Sequence, residues 1–323
     1  MSEKRESRGQ VVTIFGGSGF IGRYVVGALL RSGWKVVVAC RNPARVNSLK
    51  TPDTEGRIEA IHADLHDTAS VNNALQGSAA AVNMVGILAE TPQQKFVDIQ
   101  AKGAQRVASA VASLGIVRFV HFSALGANAR GTSEYARTKS AGETGVLDTV
   151  PSAVVVRPSV VFGREDNFLN RFATMARYFP VLPIVGADTK FQPVYVGDVA
   201  ESVAAALSGR ATPGKIYELG GPEVRTFSSI IDFVMETTGH KRYVIKLGFR
   251  AGKLMALTTQ LATRLSCGLF PEILRMTSDQ VELLKHDNVV TRDAIADGRT
   301  LQGLGITPKS IGMIAPTYLG KNL

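Results

Sequence analysis

Cysteine is almost missing from this chain of 323 residues: only Cys40 and Cys267 are present. Two thiols so far apart build neither a disulfide framework nor a zinc cluster. No metal site is expected, and a reducing compartment suits the chain. A secretory leader is not expected either. Residues 1–10 are polar and mixed in charge, have no apolar segment, and read as a loose tail. No apolar run approaches the length needed to cross a bilayer. Internal repeats and low-complexity tracts are absent. Aromatics are modest at 7% and charged residues ordinary at 20%, which excludes fibrous and disordered classes. With 45% hydrophobic residues, the chain can bury a large core in one large domain or two unequal ones. The one imbalance is of charge sign. Lys and Arg number 37 against 27 Asp and Glu, a surplus of 10, which suits an acidic partner, an anionic membrane or nucleic acid.

What is present is organised around residues 11–22, Val-Val-Thr-Ile-Phe-Gly-Gly-Ser-Gly-Phe-Ile-Gly. The first five are apolar and mostly β-branched, with turn residues after them, as in a buried strand. Gly16, Gly17 and Gly19 permit a tight turn and a close backbone approach. From Phe20 the pattern is helical, with Ile21, Val25, Ala28 and Leu29 on one face and Gly33 as the stop. Gly22 falls in the first helical turn, where a missing Cβ lets helix and strand pack closely. The N–H groups at that helix start carry partial positive charge and favour a pyrophosphate. Strand, G-x-x-G-x-x-G and helix in this order meet the context of a Rossmann fingerprint. Gly16, Ser18, Gly19, Phe20, Ile21 and Gly22 are the expected cofactor contacts here.

Further strands are expected at 36–39, 57–61, 79–84, 117–122 and 153–156. Helical patterns lie between them, including a long one from about 92 to 114. Regular alternation predicts an α/β fold with a doubly wound parallel sheet. After Pro158 the rhythm changes, and 180–193 reads as loop and short extended pieces. Asp198 looks like the N-cap of a helix through Leu207. A short strand at 215–219 and a helix at 227–238 follow. The expected organisation is a tail at 1–10, a nucleotide-binding domain at 11–210 and a smaller C-terminal α/β lobe at 211–323.

An NAD-preferring fold places an acid at the end of the second strand to bind the ribose 2′-hydroxyl. Here that strand ends Val-Ala-Cys-Arg-Asn, and Arg41 is placed to pair with a 2′-phosphate. NADP(H) is therefore expected. Asp64 and Leu65 can reach the adenine edge, although Asp64 can equally cap the next helix. Val85 and Gly86, just past the fourth strand, are further expected contacts. Ser123 follows the fifth strand, and Tyr135 and Lys139 stand four apart on one helical face. An ammonium beside a phenol lowers the phenol's pKa. Tyrosine as acid and base, lysine as its tuner and a ribose ligand, and serine as positioner make a coherent hydride-transfer set. Tyr135 and Lys139 can also do no more than bind the nicotinamide ribose.

These features resemble the short-chain dehydrogenase/reductase superfamily, in its extended or atypical branch, over residues 11–240. The run Arg-Pro-Ser-Val-Val-Phe-Gly at 157–163 belongs to the same pattern. The resemblance implies that Pro158, Ser159 and Val160 line the nicotinamide. Val-Tyr-Val-Gly-Asp-Val-Ala at 194–200 also belongs to it. Residues 19–26, 162–172 and 192–196 are similar to the NADPH-binding accessory subunit family of respiratory complex I. That resemblance implies a bacterial member holding NADPH without turnover. It would lie at the cytoplasmic side of the inner membrane, beside peripheral-arm and membrane-proximal subunits. The alternative is a soluble NADP-dependent reductase, dehydrogenase or epimerase for an isoprenoid, steroid or sugar-nucleotide substrate.

Residues 237–271 contain no Asp or Glu, yet Lys241, Arg242, Lys246, Arg250, Lys253 and Arg264 all fall there. Leu254, Leu257, Leu261 and Leu265 follow helical spacing. A basic amphipathic helix suits a membrane surface or a partner groove; a lobe helix packed on the sheet has the same pattern. Nucleic acid fits less well, because interleaved aromatics are lacking.

Overall fold

The computed structural model describes residues 9–265 and 271–320. The tail expected at 1–10 falls almost wholly outside the described residues, as do Cys267 and the side chains of Arg264 and Leu265. The β-branched run forms strand β1 (Val11–Phe15). Helix α1 (Phe20–Arg31), strand β2 (Lys35–Cys40), strand β3 (Ile58–His62), helix α2 (Thr68–Leu75) and strand β4 (Ala80–Asn83) follow. The next elements are α3 (Ala104–Ser113), β5 (Arg118–Phe122), α4 (Glu134–Thr149) and β6 (Val154–Pro158). Beyond them come β7 (Val161–Phe162), α5 (Leu169–Tyr178), β8 (Val181–Val185), β9 (Lys190–Phe191), β10 (Val194–Tyr195), α6 (Val196–Leu207) and β11 (Ile216–Leu219).

Seven strands join in one sheet in the order β11-β6-β5-β4-β1-β2-β3. Every pairing in it is parallel. Both faces are covered, so the strands carry apolar residues on both sides. On one face Val12, Ile14, Val36, Val82 and Val156 pack against Val25 and Leu29 of α1 and Val199 and Val203 of α6. On the other, Phe15, Ala39, Ala81 and Phe119 pack against Leu75 of α2, Val107 and Val111 of α3 and Val146 of α4. The chain leaves β1 toward β3 and then crosses back to β4. A crevice therefore opens beyond the carboxyl ends of β1 and β4, where a doubly wound sheet takes its ligand.

The lobe is built from α5, β8, β12 (Arg225–Thr226), α7 (Phe227–Thr238), β13 (Tyr243–Leu247), α8 (Phe249–Leu265) and α9 (Ser278–Leu283). β13 lies parallel to β8, and Met175, Leu182, Ile184, Phe227 and Ile231 form a separate core. Among the described residues, no helix is long and apolar enough to cross a membrane.

Two expectations are corrected. The helix expected from about 92 to 114 starts later and is not regular: Thr91 and Gln94 bridge in a turn, and a π-helical segment at Val97–Gly103 runs without a break into α3 at Ala104. Asp198 is not an N-cap. Tyr195 is the cap and α6 starts at Val196, while the buried Asp198 carboxylate accepts the Lys309 N–H at 2.7 Å and lies 3.4 Å from its Nζ. It anchors the C-terminal segment to α6.

Candidate functional site

At the end of β1 the chain turns through Gly16, whose φ of 86° disfavours any residue with a Cβ. A Cβ on Gly22 would run into the Gly16 carbonyl oxygen and lie 2.7 Å from the Gly17 Cα. The turn and the first turn of α1 therefore touch backbone to backbone. Gly19 is the N-cap of α1; no side chain caps the helix and no acid stands in its first turn. The leading N–H groups of α1 thus have no intrahelical or capping partner. Gly19 is extended, with φ −79° and ψ 178°. A Cβ there would meet nothing nearer than the Gly16 oxygen at 3.4 Å. An uncapped helix start with open space beside it fits the pyrophosphate of a dinucleotide. Ser18, Phe20 and Ile21 stand half-buried along the same turn.

The remaining expected contacts follow the carboxyl ends of β2, β3 and β4. Arg41 is exposed beyond β2, and its guanidinium reaches the Gln94 side-chain oxygen at 2.9 and 3.2 Å once that amide is oriented to accept. Its partner is thus a neutral amide from the loop after β4. Asp64 does not cap α2, which is the work of Asp67. The Asp64 carboxylate accepts the His66 N–H at 2.9 Å, and Leu65 beside it is buried. Val85 donates its N–H to Asn83 Oδ1 at 3.2 Å. A Cβ on Gly86 would sit 3.1 Å from Lys139 Nζ, so the loop after β4 lies directly on α4.

Ser123, Tyr135 and Lys139 converge where β5 meets α4. The Ser123 N–H donates to the Val156 carbonyl at 2.8 Å, while its Oγ is buried without a partner. Lys139 is buried and donates to the Phe122 carbonyl at 3.2 Å. Its Nζ lies 6.0 Å from the centre of the Tyr135 ring, which packs edge-on against Phe96. Burial lowers the Lys139 pKa to about 8, against the opposing charge of Glu143. The Tyr135 phenol is not lowered as the spacing suggests. Burial, and then the charge of Asp279, push it up to about 12. Desolvation sets the direction, and the Lys139 ammonium, 6.0 Å from the ring centre, does not offset it. Behind them His121 is buried, its Nδ1 3.4 Å from Asn83 Nδ2 and its Nε2 unpartnered. Burial, with Lys139 nearby, drives its pKa down to about 3. Both side-chain polar atoms of Gln100, in the π-type turn, are also buried and unpartnered.

Sequence reasoning missed three groups that hold this site. The Asp279 carboxylate, from the lobe, accepts from Ser133 Oγ at 2.8 Å, the Glu134 N–H at 2.6 Å and the Tyr135 N–H at 3.3 Å. It caps α4 from outside, one residue from the phenol. Asn288 meets Pro158-Ser159-Val160: its Oδ1 accepts from Ser159 Oγ at 2.7 Å and the Val160 N–H at 3.2 Å, and its Nδ2 donates to Leu125 at 3.2 Å. The polar groups of Ser159 and Val160 are therefore engaged by the lobe. Arg157 donates twice to Glu143, at 2.7 and 2.6 Å, and reaches Glu218 at 3.4 Å. That network ties α4, β6 and β11 together behind Lys139. The Thr277 and Gln280 capping box announces α9 in the sequence. Nothing local announces what Asp279 touches.

The profile of the NAD dependent epimerase/dehydratase family matches residues 12–220. The NADH dehydrogenase (ubiquinone) 1 alpha subcomplex subunit 9 of Dictyostelium discoideum is 33% identical over 236 residues, 73% of this chain and 66% of that protein. The NADH-ubiquinone oxidoreductase 40 kDa subunit of Neurospora crassa is 30% identical over 311 residues, 96% of this chain and 79% of that one. Both are mitochondrial. Among solved structures, an NADPH-dependent quinone oxidoreductase of Escherichia coli in complex with NADPH has the same fold. Its TM-score is 0.73 at 22% identity, over 95% of this chain and 99% of that one.

Proposed function

Since the chain belongs to the NAD dependent epimerase/dehydratase family, we propose that it holds NADP(H) firmly as an accessory subunit of a proton-translocating NADH:quinone oxidoreductase, without turning the nucleotide over. One observation carries this reading. The family profile ends at residue 220, yet the identity to the Neurospora subunit runs over 96% of the chain. The lobe shares in the likeness as well as the nucleotide fold.

In this reading Gly16, Ser18, Gly19, Phe20, Ile21 and Gly22 receive the pyrophosphate. Arg41 exchanges the Gln94 amide for the 2′-phosphate, a charge-assisted contact in place of a neutral one. Asp64 and Leu65 border the adenine, with Val85 and Gly86 lining the crevice floor. Tyr135 and Lys139 hold the nicotinamide ribose, and Pro158, Ser159 and Val160 wall the ring. When bound, the reduced nucleotide would carry a hydride-donating ring, which this reading leaves unused. Tyr135 keeps its proton at neutral pH, with Asp279 opposing its loss, so the phenol can donate a hydrogen bond to the ribose.

The test is to extract the nucleotide from the native protein and identify it. NADP(H) is expected, and Arg41→Ala should weaken its binding by about 1.5–3 kcal/mol, the range for hydrogen bonds to charged groups. Recovery of mostly NAD(H) would remove the basis for the role of Arg41. A second reading, a soluble NADP-dependent reductase, rests on the buried, unpartnered Ser123 Oγ beside Lys139, which is suited to a substrate carbonyl or hydroxyl.

A further inference from the structure

Among the described residues, no element of the lobe covers one apolar surface on it. On α8, Gly252 and Ala256 face inward, Ala256 packing with Val185 and Val281. Leu254, Leu257 and Leu261 face outward and are 64%, 52% and 57% exposed. Their spacing of three and four makes one stripe along the helix. The β8–β13 ribbon carries further exposed apolar residues. Tyr243, Ile245 and Leu247 share one face of β13 by two-residue alternation. α8 covers that face only at the end where Leu247 and Val185 pair. Tyr243 remains 80% exposed, and Val181 opposite it is exposed as well. Leucine and tyrosine grouped in this way mark an interaction surface.

We propose that the outer face of α8 and the open part of the β8–β13 face dock on an anionic lipid bilayer. Charge selects this occupant. Arg250 and Lys253 are exposed beside the leucines of α8, and Lys241 is exposed just ahead of Tyr243. No acid occurs from 237 to 271, and among the described cations there only Lys253 leans toward an acid, Glu282, at 3.8 Å. Lysine is depleted from protein–protein interfaces, whereas an interfacial helix on anionic lipid pairs a leucine face with a lysine and arginine flank. The surface lies on the lobe, and its lipid contact stands independently of any nucleotide.

The test is flotation of the full-length protein with vesicles of phosphatidylcholine alone or mixed with phosphatidylglycerol. The protein should float with the mixed vesicles and not with phosphatidylcholine alone, and added salt should release it. Arg250→Gln with Lys253→Gln should weaken binding about 25-fold, from about fivefold per cation near an anionic surface. Leu254→Gln, Leu257→Gln and Leu261→Gln together should abolish it while leaving the circular dichroism spectrum unchanged, since all three point outward. Failure of the unaltered protein to float with mixed vesicles overturns the proposal without reference to any variant. So does equal flotation of the leucine variant. Binding only to native membranes, lost when their proteins are shaved by protease, would assign the face to a protein partner instead.

Discussion

Two glycines three residues apart in the same turn do different work. Gly22 has no room for a Cβ, because the Gly16 and Gly17 backbone is already there. Gly22→Ala should therefore cost stability, about 1–3 kcal/mol as for other overpacked sites, measured by denaturant unfolding. Gly19 has room and an ordinary extended backbone. Gly19→Val should fold with an unchanged unfolding midpoint in the absence of nucleotide. Its branched side chain would stand where an anion meets the α1 N–H groups, so bound nucleotide should be lost. Full occupancy in that variant would misplace the phosphate. His121 supplies a pH test. It is neutral in the fold down to about pH 3 and protonates near 6.5 when exposed. Between those values the unfolded chain binds the extra proton, so this group's contribution is intact above 6.5 and is lost as pH falls toward 3. His121→Gln should flatten the fall in stability between pH 6.5 and 4.5, above the range where carboxylates add their own slope. Parallel curves for the two proteins would show that His121 does not titrate on unfolding.

At the scale of elements, α4 is held at both ends of its working face. Lys139 is tied to the end of β5, and the helix start is capped by Ser133 and clamped by Asp279 from α9. Asp279→Ala removes an acceptor for three donors. It should destabilise the fold by about 0.5–2 kcal/mol, the range for a lost N-cap. It should also let Tyr135 ionise at lower pH, because a negative charge near the phenol is gone. The phenolate absorbance of the Asp279→Ala protein, with Tyr135→Phe on the same background as the blank, reads that change. An unmoved titration would remove Asp279 from the electrostatics of the site. The π-type turn at Val97–Gly103 is the other element to note. A Cβ on Gly142 of α4 would meet the Gln100 carbonyl, so the wider turn and the glycine form one close crossing.

For the whole molecule, the two functional readings diverge on one substitution. If the protein holds its nucleotide without turnover, Tyr135→Phe should leave quinone reduction by membranes and the integrity of the assembly nearly intact, since the phenol moves no proton. Gly19→Val should instead reduce assembly, because a ligand bound only by the folded state stabilises it by mass action. A reductase would behave in the opposite way. Tyr135→Phe would cost it on the order of 10²–10⁴ in rate, as for other general acid–base groups. An intact complex with a lost NADPH-dependent activity would decide for the reductase.

The sequence by itself determined the sheet and the glycine turn that opens it. Strand runs at 11–15, 36–39 and 117–122, and the glycines at 16, 19 and 22, are local signals, because backbone alternation and a missing Cβ act within a few residues. The same local logic did not register the late start of the helix expected at 92–114 or its π-helical segment, and it misread Asp198, whose carboxylate is spent on Lys309. Only the tertiary structure decided the state of the site. Burial set the protonation of Tyr135, Lys139 and His121. Asp279, Asn288 and Glu218 reach it from strands and helices distant in the chain. Desolvation and long-range hydrogen bonds depend on what packs against a side chain, and no spacing along the chain records that.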